Sequence, residues 1–194
     1  YLSEFDWYRS RYINEPFDFV CNNKIASAEI LKQYVRVPES YMIKNRGFLS
    51  SFESVAMEYE DALKLLKDKG KMFFKPYGKG KGTGVVIMTY DYEKKMPCID
   101  LKPVSEEDFI AYLKNHDNWF LSEAMEQHSY LNRIYDKTVN TIRLITLKDP
   151  ETHMFKVFFA VQRIGTKETI PVDNGSRGGL VAKIDLDTGV LSEA

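Results

Sequence analysis

A lysine followed by closely spaced glycines is the part of this sequence whose residue types best suit chemistry. Lys75 ends the apolar run 72–74, and a second apolar run, 85–88, follows the glycines. The glycines are Gly78, Gly80, Gly82 and Gly84. This order predicts two strands joined by a flexible loop, in which backbone N–H groups converge and lysines add positive charge. Such a loop suits a polyphosphate; a surface hairpin with solvated lysines is the alternative.

A second lysine stands where a helix is expected to begin. Asn22 or Asn23 is placed to cap a helix over 25–34, and Lys24 falls in its first turn. The helix dipole disfavours a cation in that turn. Lys24 is therefore a candidate for contact with an anionic ligand, with a solvated lysine as the alternative.

Arginine recurs in the second half of the chain. Arg143 lies in an alternating stretch, 139–147, that predicts a strand, and Arg163 lies near the end of its expected hairpin partner, 154–164. A loop carrying Asn174 and Arg177 follows. The arginine fork suits carboxylate and phosphate groups. The two strand arginines could instead be surface ion-pair partners, and Asn174 could belong only to a turn.

Composition excludes several classes of protein. The 194 residues carry a net charge of −1, so no global basic field exists for nucleic acid or an anionic membrane. No apolar run approaches the ~18 residues of a membrane span. Cys21 and Cys98 lie far apart and form no C-x-x-C pair, which favours reduced thiols and a cytoplasmic location. The chain begins at a tyrosine and ends just after a predicted strand, so we expect a fragment of a longer protein.

The order of predicted elements indicates the fold class. Helices are expected over 52–69 and 105–115, and a buried strand at 119–121. Hairpins dominate the remainder instead of alternating βαβ units. This order predicts an α+β fold with antiparallel sheets and argues against a Rossmann domain.

Several segments, in this order, resemble the ATP-grasp superfamily. They are Asn23-Lys24 at a helix start, Phe73-Phe74-Lys75-Pro76 before the glycine loop, Phe120-Leu121-Ser122-Glu123-Ala124-Met125, Val139-Asn140-Thr141-Ile142-Arg143, and Val172 to Gly179. In detail the chain is most similar to the sugar-transfer-associated ATP-grasp proteins and also resembles glutamate-adding carboxylate–amine ligases. The resemblance covers about 22–194.

The resemblance implies a role for each matching residue. Lys75 and Lys24 would contact the ATP phosphates, the four glycines would form a lid over the β- and γ-phosphates, and Phe73 could line the adenine pocket. The hinge whose backbone reads the adenine edge would be Glu123, Ala124 and Met125. The residues that hold the γ-phosphate, the acyl phosphate and the acceptor would be Arg143, Arg163, Asn174 and Arg177.

The implied function is an ATP-dependent carboxylate–amine ligase acting through an acyl phosphate, in bacterial surface-polysaccharide or cell-wall modification. Its partners would be small-molecule or saccharide-linked carboxylates and amines. A phosphotransferase and a catalytically degenerate nucleotide-binding domain are the alternatives.

The implied architecture is an ATP-grasp fold of two subdomains around a nucleotide cleft, without its C-terminal part. The expected divisions are an N-terminal helical segment and linker at 1–70, a lid subdomain at 71–121 and the truncated start of the catalytic subdomain at 122–194. ATP-grasp enzymes hold Mg²⁺ with hard oxygen ligands. No Glu-x-Asn follows Gly179, so we expect the magnesium ligands beyond Ala194 and no ligation by this chain alone.

Overall fold

The structure is a computed structural model and describes residues 3–10, 12–13, 15, 17, 20, 22–77 and 83–193. The chain divides into two compact units. The first comprises Tyr1–Gly78 and Met88–Glu123, and the second comprises Lys79–Ile87 and Ala124–Ala194. The expected division at 1–70, 71–121 and 122–194 stays a prediction.

The first unit contains a seven-stranded sheet. Its strands are β1 (Ser40–Asn45), β2 (Phe48–Ser50), β3 (Lys71–Pro76), β4 (Val86–Asp91), β5 (Met96–Ile99), β6 (Lys102–Pro103) and β7 (Trp119–Glu123), in the order β2-β1-β7-β3-β4-β5-β6. The β1–β2, β1–β7, β3–β7, β4–β5 and β5–β6 pairs are antiparallel. The expected mixed α+β class with antiparallel sheets is thus confirmed.

The helices of the first unit begin and end at recognisable caps. They are α1 (Glu4–Ser10), α2 (Lys24–Leu31), α3 (Tyr59–Lys69) and α4 (Glu106–Asn115). Asn23 caps α2, as predicted, because its side-chain oxygen accepts hydrogen bonds from the amides of Ile25 and Ala26. The expected start of α3 at Phe52 is wrong. Glu58 and Asp61 form a capping box at Glu58, and the preceding residues form turns and a bridge to β2 instead.

Helices α3 and α4 supply the apolar side of the core. Phe74 of β3 is buried with its ring centroid 5.4 Å from that of Tyr112 in α4 and 5.3 Å from that of Trp119. Side chains alternate along a strand, so Phe73 and Lys75 lie on the opposite face of the sheet from Phe74. Burial against α4 therefore decides which face of β3 is left for a ligand.

The second unit is built on a three-stranded antiparallel sheet. It contains α5 (Ser129–Asn132), β8 (Ile142–Lys148), β9 (Phe155–Ile164) and β10 (Leu180–Lys183), with strand order β10-β9-β8. The predicted hairpin of two long strands is confirmed. Among the residues described in both units, no helix is long and apolar enough to cross a membrane.

Buried polar side chains fix the loops around this sheet. Asn140 Oδ1 accepts hydrogen bonds from Thr138 Oγ1 at 3.1 Å and from the Gly165 amide at 3.0 Å. Asn140 Nδ2 donates to the Tyr135 carbonyl at 2.8 Å. The loop before β8 is thereby tied to the end of β9.

Gly165→Ala should destabilise this corner. An added Cβ would lie 2.1 Å from Thr138 Oγ1, and the bond to Asn140 prevents the threonine from moving away. We expect a cost of about 1–3 kcal/mol, as for overpacked cores, seen as a lower thermal unfolding midpoint. Gly175→Ala is the control, because its Cβ would meet nothing closer than 3.5 Å. Equal stability of the two variants would contradict the prediction.

Candidate functional site

Lys75 is a partly buried cation without an anionic partner. Its Nζ lies 5.5 Å from the ring centroid of Phe73 and 5.8 Å from that of Phe120. Within the part of the chain that the structure describes, no oxygen lies within hydrogen-bond distance of this Nζ and no carboxylate within ion-pair distance. Burial, with a smaller contribution from Lys24, lowers the pKa of Lys75 to about 8. The aromatic faces attract the cation only weakly, so the site favours an anion.

Lys24 lies close enough to Lys75 for its charge to lower the pKa of Lys75, and the binding of one ligand by both lysines stays a prediction. Lys24 Nζ donates a hydrogen bond to the Pro76 carbonyl at 3.2 Å. Burial also lowers the pKa of Lys24. The N-terminus of α2 is thereby attached to the end of β3, and two positive charges are held close enough to repel.

The other residues predicted to bind the nucleotide are placed less completely. Phe73 lies on the same face of the sheet as Lys75. Its contact with the adenine base stays a prediction. Glu123 ends β7, where its carboxylate pairs with Arg36 at 3.0 Å and its amide donates to the Glu39 carbonyl at 2.8 Å. That amide is therefore already hydrogen-bonded, and the predicted adenine contact by the backbone of Glu123, Ala124 and Met125 stays a prediction. Gly78, Gly80 and Gly82 lie outside the described residues, whereas Gly84 adopts a φ of +73° in a turn.

Two predicted arginines share a face of the second unit's sheet. Arg143 of β8 stands opposite Val161 of β9, and Arg163 follows two residues later on β9. Residues that face each other across a pair, and residues two apart on a strand, point to the same side. The register therefore places Arg143 and Arg163 on one face.

Arg163 is already neutralised by the protein. Its Nη2 lies 2.7 Å from Asp173 Oδ1 and donates to Asn174 Oδ1 at 2.9 Å. The other Asp173 oxygen accepts hydrogen bonds from the Thr141 amide at 2.8 Å and from the Thr141 hydroxyl. Only 17% of the Arg163 side chain and 7% of the Asp173 side chain are exposed. Two predicted site residues, Arg163 and Asn174, are thus in direct contact, and the arginine is also held by Asp173, which the sequence reasoning passed over.

Arg143 and Arg177 are exposed, and the guanidinium group of neither forms a hydrogen bond or ion pair with any residue that the structure describes. Arg177 lies in the short 3-10 helix Gly175–Arg177, which ends at Gly178 with a φ of +97°. The loop is closely packed behind it, since a Cβ at Gly179 would lie 2.7 Å from the Asp173 carbonyl oxygen. These two guanidinium groups, rather than that of Arg163, are available to an anion.

Magnesium ligands are not found in this site. No cluster of three or more His, Cys, Asp or Glu side chains occurs in ranges 3–77 and 83–193, as far as these are described. The predicted location of the magnesium ligands beyond Ala194 stays a prediction.

The fold and site define a class of protein: an α+β chain with antiparallel sheets and a partly buried lysine that has no counter-ion among the described residues. The sugar-transfer-associated ATP-grasp family matches residues 5–194, and the chain belongs to that family. Membership supports an ATP-dependent activity of the ligase type in general terms. No curated protein and no solved structure matches the chain.

Proposed function

We propose that this chain provides the ATP-binding and part of the ligation machinery of a carboxylate–amine ligase. The observation that carries the proposal is the Lys75 ammonium group, which lies near two aromatic rings and has no counter-ion among the described residues. Keeping a cation there costs folding free energy, which a bound polyphosphate would offset. The family's association with sugar transfer favours a substrate linked to a surface polysaccharide.

The proposed reaction has two balanced steps. A carboxylate oxygen attacks the γ-phosphorus of ATP, the bond to the β-phosphate oxygen breaks, and ADP leaves with an acyl phosphate formed. The amine nitrogen of the second substrate then attacks the acyl carbon, loses a proton, and displaces inorganic phosphate. The first step brings two anions together and the second leaves negative charge on the departing phosphate, so fixed cations have to offset the repulsion and stabilise that charge.

The residues divide this work according to their environment. Lys75 and Lys24 hold triphosphate oxygens, Phe73 contacts the base, and the backbone of Ala124 and Met125 reads its edge. The loop of Gly78, Gly80, Gly82 and Gly84 covers the phosphates and excludes water from the acyl phosphate. Arg143 and Arg177 bind the transferred phosphoryl group or the acceptor. Arg163 acts by positioning Asn174 through the Asp173 pair.

Nucleotide binding should be accompanied by proton uptake. Lys75 has a pKa of about 8 in the free chain, so near that pH about half of its side chains are neutral. Phosphate oxygens favour the ammonium form and raise the pKa, so binding takes up about half a proton at that pH and more above it. Calorimetric titration with ATP in buffers of different ionisation enthalpy measures the uptake. Binding without uptake would place the nucleotide away from Lys75.

Product analysis tests the reaction itself in the complete enzyme. A ligase releases ADP and phosphate only when acid and amine are both present. Transfer of the phosphoryl group to a hydroxyl would identify a phosphotransferase and contradict the proposal. ATP binding without turnover under any substrate pair would identify a nucleotide-binding domain.

A further inference from the structure

A cavity of about 620 Å³, lined by both apolar and polar side chains, lies in the first unit, and its lining includes sequence neighbours of the two lysines. Asn23, Ile25 and Ala26, which flank Lys24 in sequence, form one side. The opposite side includes Tyr77, which follows Lys75 by two residues and so points to the same face of the sheet. The volume is that of a small-molecule site, and none of the roles assigned above uses this cavity.

Arg46 is the charged residue of the cavity, and its backbone conformation costs folding free energy. Arg46 and Gly47 form the two-residue turn between β1 and β2, with φ of +50° and +82°. These angles define a turn that favours asparagine, aspartate or glycine in both positions, so arginine is a poor choice for the turn itself. Asp117, in the segment before β7, accepts a hydrogen bond from the Gly47 amide at 3.1 Å and makes no ion pair with Arg46. Among the described residues, no other group neutralises this guanidinium.

Uncharged hydrogen-bonding groups surround Arg46 and are held rigidly. The Tyr77 hydroxyl lies 2.7 Å from the Asn45 carboxamide and 2.8 Å from that of Asn118. A hydroxyl has one hydrogen, so it donates to only one of them, and the other carboxamide must turn its NH₂ toward the tyrosine oxygen. The carbonyl oxygen of that second amide is then released from the tyrosine and can accept from a ligand hydroxyl. The rigid tyrosine–amide group reduces the entropy lost on binding.

We propose that this cavity binds the carboxylate substrate, and that this substrate is a polyhydroxylated monocarboxylic acid of the sugar-acid type. Arg46 binds the carboxylate, Asn45, Asn118 and Tyr77 bind hydroxyl groups, and Ile25 and Ile43 contact the apolar face of the ring. The carboxylate is thereby held beside the lysines assigned to the phosphates. This inference rests on the proposed ligase function and specifies its acid.

The test is a titration of the isotopically labelled chain with D-glucuronate, followed by the amide NMR signals of Tyr77 and Asn118. D-glucose has the same ring without the carboxylate, and acetate has the carboxylate without the hydroxyls. We expect glucuronate to shift both signals and to bind about tenfold or more tightly than either comparison compound, as expected for loss of charge-assisted hydrogen bonds.

Arg46→Asn separates binding from folding. Asparagine suits the positive φ of this turn, so the variant should melt no lower than the wild type while binding glucuronate about tenfold or more weakly. Arg133→Asn, which removes an exposed arginine from the second unit, should leave glucuronate binding unchanged.

Three results would overturn the inference: no shift with glucuronate, unchanged affinity in Arg46→Asn, or acetate binding as tightly as glucuronate. ATP binding is measured on the same samples. Glucuronate binding without ATP binding would reject the proposed ligase function and leave a sugar-acid site. ATP binding without glucuronate binding would reject only the assignment of the acid.

Discussion

Replacing Lys75 by methionine should weaken nucleotide binding strongly and stabilise the folded chain. Methionine fills the space between Phe73 and Phe120 without a charge. Loss of a buried cation opposite a phosphate costs about 2–5 kcal/mol of binding free energy, so affinity should fall about thirtyfold or more. Calorimetric titration with ATP and thermal unfolding of the free chain measure the two effects.

The stabilisation should depend on pH in a defined direction. The pKa of Lys75 is lowered from 10.5 to about 8 in the folded chain, so the unfolded state binds more protons between these values. The unfolding free energy of the wild type therefore rises with pH across this window. Below about pH 8 the free-energy cost of holding a charged Lys75 is fully present. In that range the unfolding free energy of the methionine variant should exceed that of the wild type by the largest margin. As the pH approaches 10.5, this difference in unfolding free energy should disappear.

Lys71→Met is the matched control. Lys71 lies on the same strand and the same face but is exposed, so its loss should change neither ATP affinity nor the pH dependence of stability. Undiminished ATP binding by Lys75→Met, or a variant less stable than the wild type at neutral pH, would remove Lys75 from the proposed site.

The elements that position the lysines could be predicted because local chemistry determines them. Asn23 is followed by a helical pattern and caps it, and the alternation along β3 fixes Phe73 and Lys75 on one face. The seven-strand order could not be read from the sequence. It places β7 between β1 and β3, although some 40 residues or more separate β7 from either strand along the chain. Such pairings depend on packing among distant segments.

The environment of each arginine could not be predicted either. Arg143 and Arg163 look equivalent in the sequence, yet one is exposed and the other is paired with Asp173. The distinction depends on the loop that brings Asp173 under β8 and β9. The one local signal was the acidic residue directly before Asn174. It suggests an ion pair with an arginine but does not show which arginine takes part. Likewise nothing in the sequence marks Arg46, because it is the folding of β1, β3 and the segment before β7 that places Asn45, Tyr77 and Asn118 in the same cavity.

Asp173→Ala should destabilise the second unit by about 3–5 kcal/mol, because it leaves a mostly buried arginine without its counter-ion. The Thr141 amide and hydroxyl lose their acceptor in the same variant. Asp173→Asn keeps an acceptor oxygen but not the charge, so its cost should be intermediate. Chemical denaturation monitored by signals from β8 and β9 measures these changes.

The double variant Arg163→Met with Asp173→Ala distinguishes a cost of unpaired charge from a general loss of packing. Removing both charges should recover part of the stability lost in Asp173→Ala, so the two changes should be strongly non-additive. Lys156→Ala breaks the Asp149 pair, whose lysine is 65% exposed, and should cost less than about 1 kcal/mol. Additive effects of the Arg163 and Asp173 changes would mean that the carboxylate does not hold the arginine, and Arg163 would then join Arg143 and Arg177 as a cation free for the phosphoryl group.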